Sequence, residues 1–452
     1  MGQIQNIEKK VERITNGPKH HLFGFHDLKI SNNKGDKYLA IEADTINRPP
    51  LPNEFFGVGY VKDGEFIRLG ETTALNYPQG SRQQWIANTD YFTVNNRVGK
   101  KWGCDLYDTC TNKLIDSYEA TAHMITNDGR YALGLDYARL NRLGGYGYTG
   151  IIDSGTSDAI PKNSGITIMD MKTKEVKLLV SVRQVAECGI SDLHERTHHY
   201  LTHLCLNPSS TRVAFLHRYF LPDGGLMTRL MTIGVDGSNL RCLGQGFLSH
   251  YDWKDDHNIY IYGRTGSSID AIRNNPVMQN MMVKEVIRLA KRCVKMVIGK
   301  NKGIVGGMSF LMISDENEPL VSAFSKDIIP YDGHPMTNPI DRNWCICDTY
   351  PDNDGYRELF LYNFEECIRI NIGRYRRIFQ QPELSSKNQY LLGMDRQILN
   401  SISVEQIAFT RSGLHCDLHP RWSYDGKWAV FDSIHEGTRQ IYRINVEDII
   451  NY

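Results

Sequence analysis

The chain has 452 residues, 41% hydrophobic and 23% charged, with 52 Lys and Arg against 52 Asp and Glu. Zero net charge argues against bulk electrostatic attraction to nucleic acid, and no apolar run approaches the roughly 18 residues of a membrane span. The opening Met1-Gly2-Gln3-Ile4-Gln5-Asn6 lacks the apolar stretch of a secretory signal, and the ten cysteines are scattered without zinc-ribbon spacing, so they read as reduced thiols of a cytoplasmic protein.

Residues 1–19 are polar and read as a tail or short helix. His20-His21-Leu22-Phe23-Gly24-Phe25-His26-Asp27 then opens a run of short strands: Leu28-Lys29-Ile30, a turn at Asn32 to Asp36, Tyr38 to Ile41, and a hairpin through Val58 to Arg68 with its turn at Asp63-Gly64. Four strands in about fifty residues have the size of a β-propeller blade. The unit recurs: Gln84-Trp85 leads to Tyr91-Phe92-Thr93-Val94, His123 to Tyr131-Ala132-Leu133, and His203 to Val213-Ala214-Phe215-Leu216. His250 leads to Ile259-Tyr260-Ile261-Tyr262, His334 to Trp344-Cys345-Ile346-Cys347, and His419 to Trp428-Ala429-Val430-Phe431. With the first unit, that predicts a seven-bladed all-β propeller forming one domain over residues 1–452.

Three connections interrupt the pattern. Residues 139–164 are rich in Gly and Tyr, and residues 377–412 read as containing a short helix from Ser385 to Arg396. From 269 to 300 apolar residues recur at helical spacing opposite Lys284, Arg288, Lys291, Arg292 and Lys295. This segment reads as a helical insertion in the fifth blade that covers the propeller edge or, through its basic face at 274–298, meets a membrane surface or protein partner.

Equivalent blade positions map to equivalent places around a propeller axis. His26, Gln84, His123, His203, His250, His334 and His419 are therefore expected around one mouth of the central funnel, with Arg82, Arg218 and Tyr148 as candidates to join them. A lone His near a strand is more often structural, but a structural role does not need imidazole six times. In His415-Cys416-Asp417-Leu418-His419, alternate residues of an extended segment share one face. His415, Asp417 and His419 could thus hold a divalent metal with His250 and His334. Metal and Arg together match a carboxylate-bearing substrate, and a neutral His abstracts a proton near neutral pH. This is the set that β-elimination from a uronic-acid sugar needs. A glycoside hydrolase would be expected to use paired carboxylates, and no obvious pair emerges.

Thr202-His203-Leu204, Arg212 to His217, Val235 to Arg241 and Ser249-His250-Tyr251-Asp252-Trp253, with the later His334-Pro335-Met336-Thr337-Asn338 and His419-Pro420, resemble segments of the oligogalacturonate lyases in the same order. The resemblance covers roughly the C-terminal half. It implies a cytoplasmic seven-bladed propeller that cleaves short uronides with a divalent metal, usually manganese. It puts His203 at the catalytic base and His250 and His419 at metal ligands. Asp417 stands where that family has a second ligand histidine, and its upstream glutamine ligand has no counterpart unless His415 substitutes. The N-terminal half, through His20 to Asp27, Gln79 to Trp85 and Gly145-Tyr146-Gly147-Tyr148, resembles propellers associated with bacterial surface-polysaccharide loci.

The sequence therefore leads to a metal-assisted lyase acting on an acidic oligosaccharide or polysaccharide, with manganese or calcium. His203 is read as base, Arg218 or Arg82 as carboxylate binder and Tyr148 as proton donor. His250, His419, His334, Asp417 and His415 are read as metal ligands, and His26, Gln84 and His123 as substrate contacts. The alternatives are a non-catalytic propeller that binds a glycan or protein, and a His-dependent glycoside hydrolase on the same scaffold.

Overall fold

The computed structural model describes residues 3–189, 197–221, 225–266, 307–384 and 388–450. The helical insertion expected at 269–300, with its basic face, lies outside the described residues. The rest is mostly strand, folded as the β-propeller that the repeats require.

The first sheet is His20–Leu22, Tyr38–Ala43, Phe56–Lys62 and Glu65–Thr72. The second is Gln84–Trp85, Tyr91–Val98, Lys101–Asp108 and Lys113–Tyr118. The third is Met124–Ile125, Tyr131–Gly134, Gly165–Asp170 and Val176–Ser181. A seven-stranded sheet follows, from His199–Leu206 to Val321–Phe324. Its middle strand, Arg241–Trp253, is shared: its first half pairs with Leu226–Gly234 and its second half with Asn258–Thr265. Gly246, at φ 156°, pairs on both sides and marks the division. Divided there, the described residues give seven units, of which the sixth has five strands and the other six have four each.

The last two units recruit the start of the chain. Gln3–Asn6 lies parallel to Ile368–Arg376 at the edge of the sixth unit. Val11–Arg13 lies antiparallel to Gln440–Asn445 and supplies the outer strand of the seventh. The residues read as a tail or short helix are thus two short strands. Their polar sequences carry no strand signal of their own, and the open sheet edges they pair with decide their conformation. Of the helix read from Ser385 to Arg396, residues 385–387 lie outside the described residues, the rest holds one short 3-10 helix, Gln389–Leu391, and the α-helices begin only at its end. The helices are Arg396–Ser401 and Val404–Arg411, started by Asp395 and Ser403, whose side chains accept from the backbone N–H groups of Gln397 and Gln406.

Adjacent sheets are cemented by apolar faces and by a repeated tryptophan contact. The indole N–H of Trp85 donates to the Ile30 carbonyl (3.0 Å), that of Trp253 to Cys205 (2.9 Å) and that of Trp422 to Met336 (2.9 Å). Each lets a large ring, half-buried at Trp85 and fully buried at Trp253 and Trp422, sit between neighbouring units without leaving its donor unpaired. The Ser423-Tyr424-Asp425-Gly426 turn forms as the sequence implies. The Gly426 N–H donates to the Ser423 carbonyl (3.0 Å), and Gly426 takes φ 70°. A Cβ there would lie 2.5 Å from Oδ1 of Asn338, whose Nδ2 donates to the Gly426 carbonyl (2.9 Å).

Candidate metal centre and funnel site

The innermost strands deliver the histidines by breaking their own regularity. Between Thr202 and Cys205 the ladder slips, and His203 sits there at φ 56°. The ladder slips again between Leu248 and Tyr251, which places His250. Such bulges re-aim side chains at sheet rims. His419 also lies in the left-handed region, at φ 41°. Left-handed non-glycine residues persist only where their surroundings over-determine them.

These irregular points converge on Phe25. Its ring centroid lies 4.2 Å from His26, 5.1 Å from His419, 5.2 Å from His203 and 6.2 Å from both His250 and His334. His334 is the hub on one side, 4.2 Å from His250 and 4.3 Å from His419 between ring centroids. Five of the seven positions singled out by the repeat thus meet in one cluster.

Four of these rings are anchored through Nδ1. His334 donates to Asp348 Oδ1 (2.8 Å), His250 to Asp332 Oδ1 (3.2 Å) and His419 to the Gly24 carbonyl (3.1 Å), while His203 Nδ1 pairs with the Thr202 hydroxyl (3.0 Å). Among the described residues none of their Nε2 atoms has a hydrogen-bond partner. An Nδ1–H fixed on a carboxylate or carbonyl leaves the Nε2 lone pair for a metal and raises its basicity. Asp348 fixes two rings at once, because it also accepts from the backbone N–H groups of His334 (2.8 Å) and His419 (3.2 Å). Burial lowers the pKa of His334, but Asp348 outweighs it and holds the imidazole above its ordinary value.

Asp417 completes the set. One ligand atom each from His334, Asp417 and His419 lie within 4.8 Å of one another. Nε and Nη2 of Arg357 donate to Asp417 Oδ1 (3.0 and 2.8 Å), and His415 Nε2 faces Oδ2 at 3.3 Å. Burial would raise this carboxyl, yet His415, Arg357 and the His334 and His419 rings hold it well below the usual carboxylate range. Imidazole nitrogens and one ionised carboxylate suit a divalent transition metal. The structure brings His334, Asp417 and His419 together, sets His250 beside them, and places His415 behind Asp417, where it orients the carboxylate.

His203 stands apart from that group. Burial, then the Arg218 guanidinium, keeps it well below its ordinary pKa, so it is neutral at pH 7. Tyr146 approaches it edge-on at 5.7 Å. Arg218 is half-buried and, among the described residues, joins no ion pair. Tyr350 faces His334 at 5.5 Å and His250 at 6.2 Å.

Other expected members do other work. The Arg82 guanidinium is wholly buried and already paired with Asp27 through two bonds (2.8 and 3.0 Å), and it also donates to the His123 carbonyl (3.0 and 2.7 Å). It is therefore not free to receive a substrate carboxylate. The Tyr148 hydroxyl accepts from Asn95 (3.1 Å) and its ring stacks on Tyr137 at 4.2 Å in the core, where burial pushes its pKa up to about 12. That placement does not suit a proton donor in the funnel. Gln84 donates to the carbonyls of Arg82 (3.3 Å) and Ala122 (3.2 Å), and His123 is tied to the Tyr137 hydroxyl (2.8 Å). Both are buried; the Gln84 amide is spent on structure, while His123 keeps a buried Nε2 without a partner and packs on Tyr137. His26 is buried under the cluster, where burial, then His334 and His250, hold it far below its ordinary value. Tyr146, Tyr350, Asp348, Asp332 and Arg357 were not expected here. The available signal was the Gly145-Tyr146-Gly147 spacing, which brackets a residue able to take an unusual turn.

No family model matches the chain, and no curated protein matches it. Solved structures do. An oligogalacturonate lyase from Vibrio parahaemolyticus aligns with 97% of this chain and 94% of its own at 14% identity, TM-score 0.55. An oligogalacturonate lyase in complex with manganese aligns with 98% and 95% at 14% identity, TM-score 0.58. At that identity the likeness is one of fold.

Proposed function

We propose that this propeller is a metal-assisted lyase that cleaves a uronic-acid-containing glycan by β-elimination. The observation that carries the proposal is the set of imidazoles anchored at Nδ1 with open Nε2 atoms, gathered with the Asp417 carboxylate beside a neutral His203 and an Arg218 that joins no ion pair among the described residues. His334, His419 and Asp417, with His250 adjacent, would hold the metal. A bound divalent cation supplies Lewis acidity to a substrate carboxylate and so acidifies the adjacent C–H. Arg218 orients that carboxylate from the other side. His203 takes the proton at Nε2, since Nδ1 is engaged by Thr202. Phe25 forms an apolar floor under the rings and limits water there. Manganese is the favoured metal because the manganese-bound lyase shares the fold. A bacterial surface glycan as substrate and a cytoplasmic location remain part of the proposal.

The test is to incubate the full chain with manganese and acidic oligosaccharides and follow ultraviolet absorbance from a new C=C bond conjugated to the carboxylate. Manganese binding is measured in parallel by calorimetry, for the native chain and for His334→Ala. Product formation together with binding lost in the variant supports the proposal. Metal binding without product from any uronide would instead make the funnel a recognition site.

A further inference from the structure

Among the described residues, Tyr146 is the tyrosine whose ring packs against the imidazole of the proposed base, and its setting fixes which face of a sugar it can reach. The two rings meet edge-on with centroids 5.7 Å apart. A sugar ring between them would need about 7–8 Å, twice the ordinary contact distance. His203 and Tyr146 therefore address a bound sugar from the same side.

The hydroxyl of Tyr146 makes no hydrogen bond among the described residues. Those of Tyr137, Tyr148 and Tyr251 are all engaged, by His123, Asn95 and the His203 carbonyl. The backbone holds Tyr146 firmly in place. It sits at φ 66°, a left-handed conformation, with its carbonyl accepting from Asn76 Nδ2 (2.8 Å). The next residue, Gly147, packs so closely that a Cβ would lie 2.1 Å from the Asn141 nitrogen. The other tyrosine of the funnel, Tyr350, stands beside His250 and His334.

The geometry points to a syn elimination in which Tyr146 protonates the departing oxygen from the face on which His203 removes the C5 proton, so that the substrate is a uronide of gluco or manno configuration. This rests on the lyase reading above. The C5–H bond breaks and its proton goes to His203 Nε2. The electron pair forms the C4=C5 double bond, the C4–O bond breaks with its electrons on oxygen, and that oxygen takes the phenol proton. Water then returns a proton to the phenolate and removes the one on His203, so nothing is oxidised or reduced. C5–H and C4–O lie on the same face in gluco- and manno-configured uronides and on opposite faces in galacto- and gulo-configured ones.

The experiment uses the full manganese-loaded chain and oligouronides of all four configurations, read by the new double bond. Turnover of gluco or manno substrates is expected. Turnover confined to galacto or gulo substrates overturns the inference while leaving the lyase reading standing, and no product from any of the four removes both. Tyr146→Phe keeps the ring against His203, so its melting temperature and manganese binding should match the native chain. Its turnover should fall about 10²–10⁴-fold on a sugar leaving group, but less than about 10-fold on a uronide carrying an aryl ether at C4, which departs without a proton. Equal losses on both leaving groups, or no loss on either, would overturn the role.

Discussion

Asp348→Asn probes the proposed metal centre without touching a proposed ligand. The carboxylate is fully buried and accepts three hydrogen bonds: from His334 N and Nδ1 at Oδ1 (2.8 Å each) and from His419 N at Oδ2 (3.2 Å). An asparagine can keep its oxygen toward His334. Its NH₂ then faces the His419 N–H, donor against donor, and that backbone group is left unpaired. Such a loss costs about 1–3 kcal/mol, and it falls on a residue already held at φ 41°. The His419 ring should shift, and His334 loses the charge that raises its basicity. Supporting groups of this kind are worth about 10–100-fold in metal affinity. Isothermal calorimetry with manganese should therefore show Kd rising by that factor, with the fold retained. Proton NMR should also show His334 titrating lower in the variant, because burial then acts without the opposing carboxylate. Unchanged manganese affinity, in a protein whose His334 has lost its raised pKa, would refute the assignment of these rings as ligands.

Four other outcomes are expected. Asp27→Ala strands the buried Arg82 guanidinium and should cost about 3–5 kcal/mol in denaturant unfolding; a loss under about 1 kcal/mol would mean that Arg82 has another partner. Tyr148→Phe removes core hydrogen bonds to Asn95 and Tyr137, so it should cost about 0.5–1.5 kcal/mol for each and leave turnover within a few-fold, whereas loss of turnover in a stable variant would return Tyr148 to the mechanism. His203→Asn, chosen because asparagine tolerates the left-handed backbone, should abolish product formation without lowering the melting temperature. Because His203 titrates well below 6.5, it stays neutral as pH falls to that value, and the acid limb of kcat/KM at saturating manganese should lie below pH 6.5; a limb centred above it would point to a different base.

The sequence carried the strand repeats and the angular position of the histidines, because both follow from periodicity. It did not carry which of those histidines gather around Phe25. His123 and His419 are both held through Nδ1, one by the Tyr137 hydroxyl and the other by the Gly24 carbonyl, and of the two His419 is the one beside Phe25. Tyr137 comes from a helix inserted after the second strand of the third unit, and Gly24 from the first unit. Arg82 looked available because its partner Asp27 lies 55 residues away, in the neighbouring blade. Tyr148 and Tyr146 are two residues apart and were indistinguishable by composition. The left-handed turn at Tyr146 separates them, leaving Tyr148 packed on Tyr137 and Tyr146 against His203.

The strand Val11–Arg13, paired with Gln440–Asn445, also sets the order of events during synthesis. On a chain leaving the ribosome this segment emerges first of the two, and its pairing surface is made about 430 residues later. At about 5–20 residues per second the segment waits roughly 20–90 s. Until then the growing arc has two raw ends, and neither the inner faces of the first and last units nor the cluster around Phe25 is complete. His419, the last of the clustered histidines to emerge, arrives shortly before closure. The proposed metal capture and ring closure would thereby fall at the same late moment, and a nascent chain stalled before residue 440 should expose apolar edges that a completed ring hides.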